Sequence, residues 1–192
     1  LVAPGSGYDL RIQRVYNSRT IYSGLFGFGW CSDYETNLNV NAEGNLRVTE
    51  CGGGLEITYM PKSFNPAVIK GTIGKIIAEV KKRNPSRKPK YLKNLAKELS
   101  TNKFLREEFG RQLKLSGKVS KGKSYLANNR ENDYIILKNK EYIRYVPDGT
   151  QQRFDLKGRL ITLNDKNNNY LKLIYKKDKL VSVLDNNGRK LG

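Results

Sequence analysis

The apolar residues of this chain change period twice, and that double change constrains the fold more than any other feature. Over the first sixty residues they alternate: Tyr8 to Tyr16, Leu38 to Val40, Leu46 to Thr49 and Leu55 to Tyr59 read as short half-buried strands. Turns separate them at Ala42-Glu43-Gly44-Asn45 and Cys51-Gly52-Gly53-Gly54. At Asn65-Pro66 the spacing becomes helical. Ile69, Ile73, Ile76, Ile77 and Val80 fall on one stripe, Asn65 is placed to cap the helix and Pro66 to open it. Asn84-Pro85 breaks that helix. Tyr91, Leu92, Leu95 and Leu99, then Phe104, Leu105, Phe109 and Leu113, predict two more, the third capped by Ser100 or Thr101 and stopped by Gly117. Alternation returns after Asp133, where Tyr134 to Leu137 and Tyr142 to Tyr145 flank a hairpin turn at Lys138 to Glu141. The expected class is mainly β with an α-helical insert (α+β), a β-hairpin meander interrupted by about three short amphipathic helices. The expected segments are 1–61, 62–130 and 131–192.

Charge follows the same division. The chain carries 36 Lys plus Arg against 18 Asp plus Glu, a formal net charge of +18. Residues 1–61 hold 4 basic and 6 acidic side chains, 62–130 hold 19 and 4, and 131–192 hold 13 and 8, for net charges of −2, +15 and +5. So local an excess, in contrast to a basic character spread evenly for solubility, reads either as a surface for an anionic partner or as lysines on solvated helix faces with no partner. The candidates are Lys70, Lys75, Lys81, Lys82 and Arg83 on the first helix, Arg87 and Lys88 in the link, and Lys90 and Lys93 on the second helix. Anionic glycan, lipopolysaccharide, a phospholipid surface and nucleic acid all fit, each binding more weakly as salt rises. The insert's few aromatics, Phe64, Tyr91, Phe104, Phe109 and Tyr125, argue against a base-stacking platform, since three of them fall on apolar helical stripes.

The last sixty residues contain a repeat. Phe154-Asp155-Leu156-Lys157-Gly158-Arg159-Leu160 followed by Leu163-Asn164-Asp165 returns about twenty residues later as Tyr175-Lys176-Lys177-Asp178-Lys179-Leu180 followed by Leu184-Asp185. Such units bury their apolar face only against neighbours, so two in succession read as the start of a longer array. With the N-terminal run Arg14-Val15-Tyr16-Asn17-Ser18-Arg19 and Gly24-Leu25-Phe26-Gly27-Phe28-Gly29-Trp30, this repeat resembles the Rhs/YD-repeat family. The resemblance covers about residues 7–60 and 142–190. It rests on Tyr16, Asn17, Arg19, Gly27, Gly29 and Trp30 at one end and Asp155, Gly158, Arg159 and Asp165 at the other, with Asn168 standing where glycine is usual. It implies a YD-repeat-like sheet belonging to a larger bacterial protein that is secreted, periplasmic or on the cell surface. In that family hairpin repeats form a shell that often encloses a toxin, and other segments of the same protein are partners. On the residues themselves, Tyr16, Phe26, Phe28 and Trp30 with their interleaved glycines read as packing and turn chemistry.

Catalytic chemistry has little to work with. The absence of histidine removes His-based acid–base catalysis, Ser-His and Cys-His pairs and the commonest transition-metal ligand. Asp33 with Glu35 is the best local carboxylate pair for a carbohydrate-active enzyme, against the reading that both are solvated or paired with Arg14 or Arg19. The expectation is a non-enzymatic module with no catalytic residue, metal or cofactor. Cys31 and Cys51 lack metal-site spacing; a disulfide and two buried thiols both remain open. The opening Leu1-Val2-Ala3-Pro4-Gly5 lacks the order of a signal peptide, so the N-terminus reads as trimmed, and no apolar run reaches the length of a membrane span.

Overall fold

The computed structural model describes residues 2–3, 8–51, 54–63 and 65–192. Gly52 and Gly53 of the predicted glycine turn, Phe64, and all but Val2 and Ala3 of the opening pentapeptide lie outside the described residues. Six two-residue strands come first: β1 (Val2–Ala3), β2 (Leu10–Arg11), β3 (Val15–Tyr16), β4 (Ser23–Gly24), β5 (Gly27–Phe28) and β6 (Trp30–Cys31). They pair as β1–β2, β3–β6 and β4–β5. The continuous strand expected over Tyr8 to Tyr16 is thus two short pieces, because each finds a different partner.

One antiparallel sheet then runs in strict chain order through β7 (Asn37–Val40), β8 (Leu46–Thr49), β9 (Glu56–Pro61), β10 (Ser124–Ala127), β11 (Tyr134–Lys138), β12 (Glu141–Tyr145), β13 (Gln151–Phe154), β14 (Leu160–Asn164), β15 (Tyr170–Lys176), β16 (Lys179–Asp185) and β17 (Lys190–Leu191). Alternate residues of these strands, such as Leu46 and Val48, Ile135 and Leu137, Leu171 and Leu173, enter one apolar core, which Leu10 and Tyr34 complete from the N-terminal region. Bulges bend the sheet. Arg153 pairs with Thr162 but Phe154 with Leu160, leaving Ile161 extra, and Val181 is extra in the same way between Ser182 and Leu180. The sheet curls until β7 meets the β13–β14 turn, where the Leu38 N–H donates to the Gly158 carbonyl at 2.8 Å.

Four hairpins share one turn. At Asp155, the side-chain Oδ1 accepts the N–H of Lys157 (2.9 Å) and of Arg159 (3.0 Å), and the fourth residue, Gly158, has φ +80°. Asp165 repeats this with Asn167 and Asn169, Asp185 with Asn187 and Arg189, and Asn41 with Glu43 and Asn45. Asn168 holds the left-handed position at φ +63°, which explains how it replaces glycine.

Between β9 and β10 stand α1 (Pro66–Arg83), α2 (Pro89–Thr101) and α3 (Lys103–Gln112). Asn65 accepts the Ala67 N–H and Pro66 is the first helical residue, as the sequence predicts. Two details differ. Asn102, rather than the predicted Ser100 or Thr101 just before it, caps α3 by accepting the Leu105 N–H. The stop is Lys114 at φ +54°, while Gly117 lies against Gly44, where a side chain would collide with backbone. The segment 62–130 is not helical to its end, because its last residues supply β10 to the sheet.

Candidate functional site

The helices form a small core of their own, Ile76, Val80, Leu95 and Leu99 with flanking Ile73, Ile77, Leu92, Leu105 and Phe109. This unit is fastened to the β7–β8 turn. Gly110 allows α3 to approach Ala42, the Thr72 hydroxyl donates to the Ala42 carbonyl at 3.1 Å, and the Gly117 N–H donates to the Asn41 carbonyl at 2.8 Å. Arg106, buried, pairs with Glu43 at 2.7 Å and donates to the Leu99 carbonyl. These contacts consume one of the insert's cations and leave the rest facing out.

All nine predicted basic residues are exposed. Arg83 pairs with Glu79 and Arg87 lies over the Tyr91 ring at 4.7 Å. Among the described residues, Lys70, Lys75, Lys81, Lys82, Lys88, Lys90 and Lys93 make no ion pair. On α2 the half-buried Leu92 and the buried Leu95 and Leu99 oppose Lys90, Lys93 and Lys97, so three lysines at i, i+3 and i+7 share one solvent face. Lys97 was not among the predicted residues, although its spacing from Lys90 and Lys93 signals it. Phe104, expected on an apolar stripe, is instead 82% exposed beside Lys103, because α3 turns Leu105, Arg106, Phe109 and Gly110 inward. A groove of about 480 Å³ runs between this unit and the sheet, lined in part by Arg47, Arg111 and Lys114. Arg47 is neutralised there by Glu56 and Glu107, at 3.4 and 3.7 Å.

The carboxylates Asp33 and Glu35 do not converge. They lie on a short 3₁₀ turn, Asp33 lining a groove with Tyr8 and Asp148, Glu35 lining a different one of about 580 Å³ with Tyr22 and Arg159. Glu35 is fully committed: one oxygen accepts from the Tyr22 hydroxyl (2.9 Å) and the Leu25 N–H (2.6 Å), the other from the Ser32 N–H and hydroxyl. Burial first, then the bond to Glu35, pushes the Tyr22 hydroxyl well above the usual tyrosine range. Arg14, rather than pairing with either acid, lies over the rings of Phe26 and Trp30.

Cys31 and Cys51 are joined in a disulfide that ties β6 to the connection after β8. Gly29 passes under the Tyr16 ring, and the Asn17 N–H donates to the Gly29 carbonyl while Asn17 Oδ1 accepts the Arg19 N–H. Gly27 holds a positive φ of +92° in the β4–β5 turn. The packing expectation fails for two aromatics, since Tyr16 is 55% and Phe28 61% exposed, and Trp30 is half-buried against Tyr16.

Arg159 links successive hairpins: it bonds Asp155, its Nη1 donates to the Lys177 carbonyl at 2.7 Å, and it covers the Tyr175 ring at 4.8 Å. Asp178 meets both Arg159 and Lys157. Burial pushes the Tyr175 hydroxyl up to about 12. Sequence reasoning missed that Asp185-Asn186-Asn187-Gly188-Arg189 repeats Asp155 to Arg159 at a spacing of thirty. It also missed the buried network of Asp133 and Arg144, bonded at 2.7 and 3.0 Å, to which the Tyr59 hydroxyl donates and which Gln152 and Glu50 extend. No signal marked this network, since Tyr59 and Glu50 reach Asp133 and Arg144 from 74 and 94 residues away in sequence.

Residues 1–59 match a family described as a domain of unknown function, DUF6531. No curated protein and no solved structure matches the chain. No helix of the described residues is long and apolar enough to cross a membrane.

Proposed function

We propose that this chain is a non-enzymatic structural and interaction module of an exported Rhs/YD-repeat-like protein, whose basic helical unit docks on an anionic partner. The observation that carries the reading is the division of labour between the two cores. The strands, with their recurring Asx turns and Arg159 cross-links, make a scaffold, while the unit fastened to Asn41–Asn45 presents unpaired lysines. A solvated helix face needs no such concentration of one sign, since like charges at i, i+3 and i+4 cost stability unless a partner neutralises them. The Cys31–Cys51 bridge supports an oxidising, extracytoplasmic location. The Asp-x-x-Gly-Arg turns and their bulged hairpins support the repeat reading and, with it, a place in a toxin-associated shell.

A titration of binding against salt tests this, using the whole chain and a Lys90→Glu, Lys93→Glu, Lys97→Glu variant with lipopolysaccharide, anionic vesicles, DNA and a neutral glycan. Preference for one anion, lost in the variant and steep in salt, supports docking and names the partner. Equal binding by both chains rejects it. The α2 stripe favours nucleic acid as the second reading, because evenly spaced lysines on a rigid helix suit a regular array of phosphates. A third, a carbohydrate-active enzyme, draws on Asp33 alone, given how Glu35 is engaged.

A further inference from the structure

A cleft of about 350 Å³ lies where the helical unit meets the end of β9, within the roughly 300–1,000 Å³ that small-ligand sites occupy. Its lining is divided by chemistry. Met60, Pro61, Val68 and Ile69 give it aliphatic walls, and the exposed Lys62 and Lys103 add two ammonium groups. The apolar surface continues onto the sheet, because the exposed Leu126 stands directly across from Met60 in the β9–β10 ladder, and directly paired residues share a face. Val68 is 41% exposed, and the open ring of Phe104 follows Lys103 in α3. None of these apolar residues is needed for the helical core, which Ile76, Val80, Leu95 and Leu99 build among themselves. Aliphatic surface left open beside cations is the lining an anionic amphiphile requires.

We infer that this cleft takes an acyl chain of an anionic phospholipid, whose headgroup rests on Lys62 and Lys103, so that the helical unit docks on a lipid bilayer. The inference rests on the anionic docking proposed above and names its partner. Charge complementarity favours this occupant. The one carboxylate of the cleft, Glu43, is neutralised by the buried Arg106 at 2.7 Å. Among the described residues Lys62 makes no ion pair, and Lys103 has only a 3.9 Å contact with Glu107. The +15 segment around them draws the whole unit toward an anionic leaflet. A peptide or a nucleic acid fits less well, since each needs hydrogen-bond partners or stacking rings. The Asn65 side chain already accepts the Ala67 N–H, Arg106 also donates to the Leu99 carbonyl, and no aromatic residue is among the described lining. An acyl chain asks for no hydrogen bond and gains from leaving water for aliphatic walls.

Co-sedimentation of the whole chain with mixed phosphatidylglycerol and phosphatidylcholine vesicles, at low and high salt, tests this, alongside Val68→Glu and Val181→Glu variants. Each substitution adds one negative charge at an exposed valine, but only the first lies in the cleft. A glutamate in the first turn suits the positive end of α1, so Val68→Glu keeps the wild-type thermal transition, and that transition is the control for folding. At about 1 M salt, where the screening length is only about 3 Å, the wild type and Val181→Glu should still pellet with the vesicles. Val68→Glu should bind them at least about tenfold more weakly under the same conditions. Binding that high salt abolishes in all three chains, or that Val68→Glu leaves unchanged, overturns the inference while anionic docking stands. Tighter binding to a DNA duplex than to the vesicles overturns it in favour of nucleic acid. Binding to neither at low salt overturns both readings.

Discussion

Two glycines in the same kind of turn separate conformational strain from tertiary contact. Gly158 and Gly188 have φ of +80° and +79°, yet a Cβ at Gly158 would lie 1.7 Å from the Leu38 carbonyl oxygen, while one at Gly188 would meet nothing within 4 Å. Gly188→Ala should cost about 1 kcal/mol, the left-handed penalty alone. Gly158→Ala should cost several times that, because it also pries β7 from the β13–β14 turn; urea denaturation of the two variants measures the difference. The Asx turns give stability a pH dependence. The side chain of Asn169 first, then backbone N–H groups, holds Asp165 below the usual carboxylate range; at Asp185 burial pulls upward but the bonds from Arg189 and Asn187 outweigh it. A carboxylate with a lowered folded pKa stabilises the fold above its unfolded value and loses that contribution as pH falls. The unfolding midpoint should therefore drop below about pH 4, and Asp165→Asn should flatten that drop. Removing Arg144 would leave the buried Asp133 with only the Tyr59 hydroxyl and the more distant Arg130, at 4.0 Å, so Arg144→Met should cost about 3 kcal/mol in the same denaturation assay.

At the scale of elements, the N-terminal lobe, residues 10–32, and the helical unit are joined to the sheet by few links, and each link can be cut. The Cys31–Cys51 bridge closes a loop with a sequence separation of 20, so its reduction should cost about 3 kcal/mol. The loss should appear first as proteolytic cleavage within residues 12–28, with the strand signal in circular dichroism retained, since β7–β17 do not depend on the bridge. Excising residues 62–123 and joining Pro61 to Ser124 through a short linker should leave one cooperative β-sheet transition. The geometry permits this because Pro61 already pairs with Tyr125. An excision carried to residue 128 would remove β10 and break the sheet between β9 and β11. Comparing the melts of the two excised chains checks this.

Across the whole molecule, two cores of unequal size predict unequal protection. Amides of β8, β9 and β11, which bury Leu46, Val48, Ile57 and Ile135 in the large core, should exchange with solvent far more slowly than those of α2, whose inner face rests on a few helical neighbours. Much of this architecture was legible along the chain. The switch of apolar period at Asn65-Pro66 and back at Asp133, the Asx-x-x-Gly turns and the lysines of α1 and α2 are local signals, set by backbone sterics and side-chain spacing within a few residues. These the sequence by itself determined: which stretches become strands or helices, where hairpins turn, and which third carries the charge. What only tertiary structure decided depends on residues distant in the chain. Tyr59 joins Asp133 and Arg144 in a buried network because β10, which pairs with β9 on one side and β11 on the other, carries the distant β9 to them. Gly158 is irreplaceable because the bulged sheet curls back onto Leu38. Glu35 spends its oxygens on Tyr22, Leu25 and Ser32, and it is Leu10 and Tyr34, not Tyr16 and Phe28, that enter the large core. Local propensity fixes conformation one residue at a time, whereas the partners available to a side chain exist only once the sheet has closed around them.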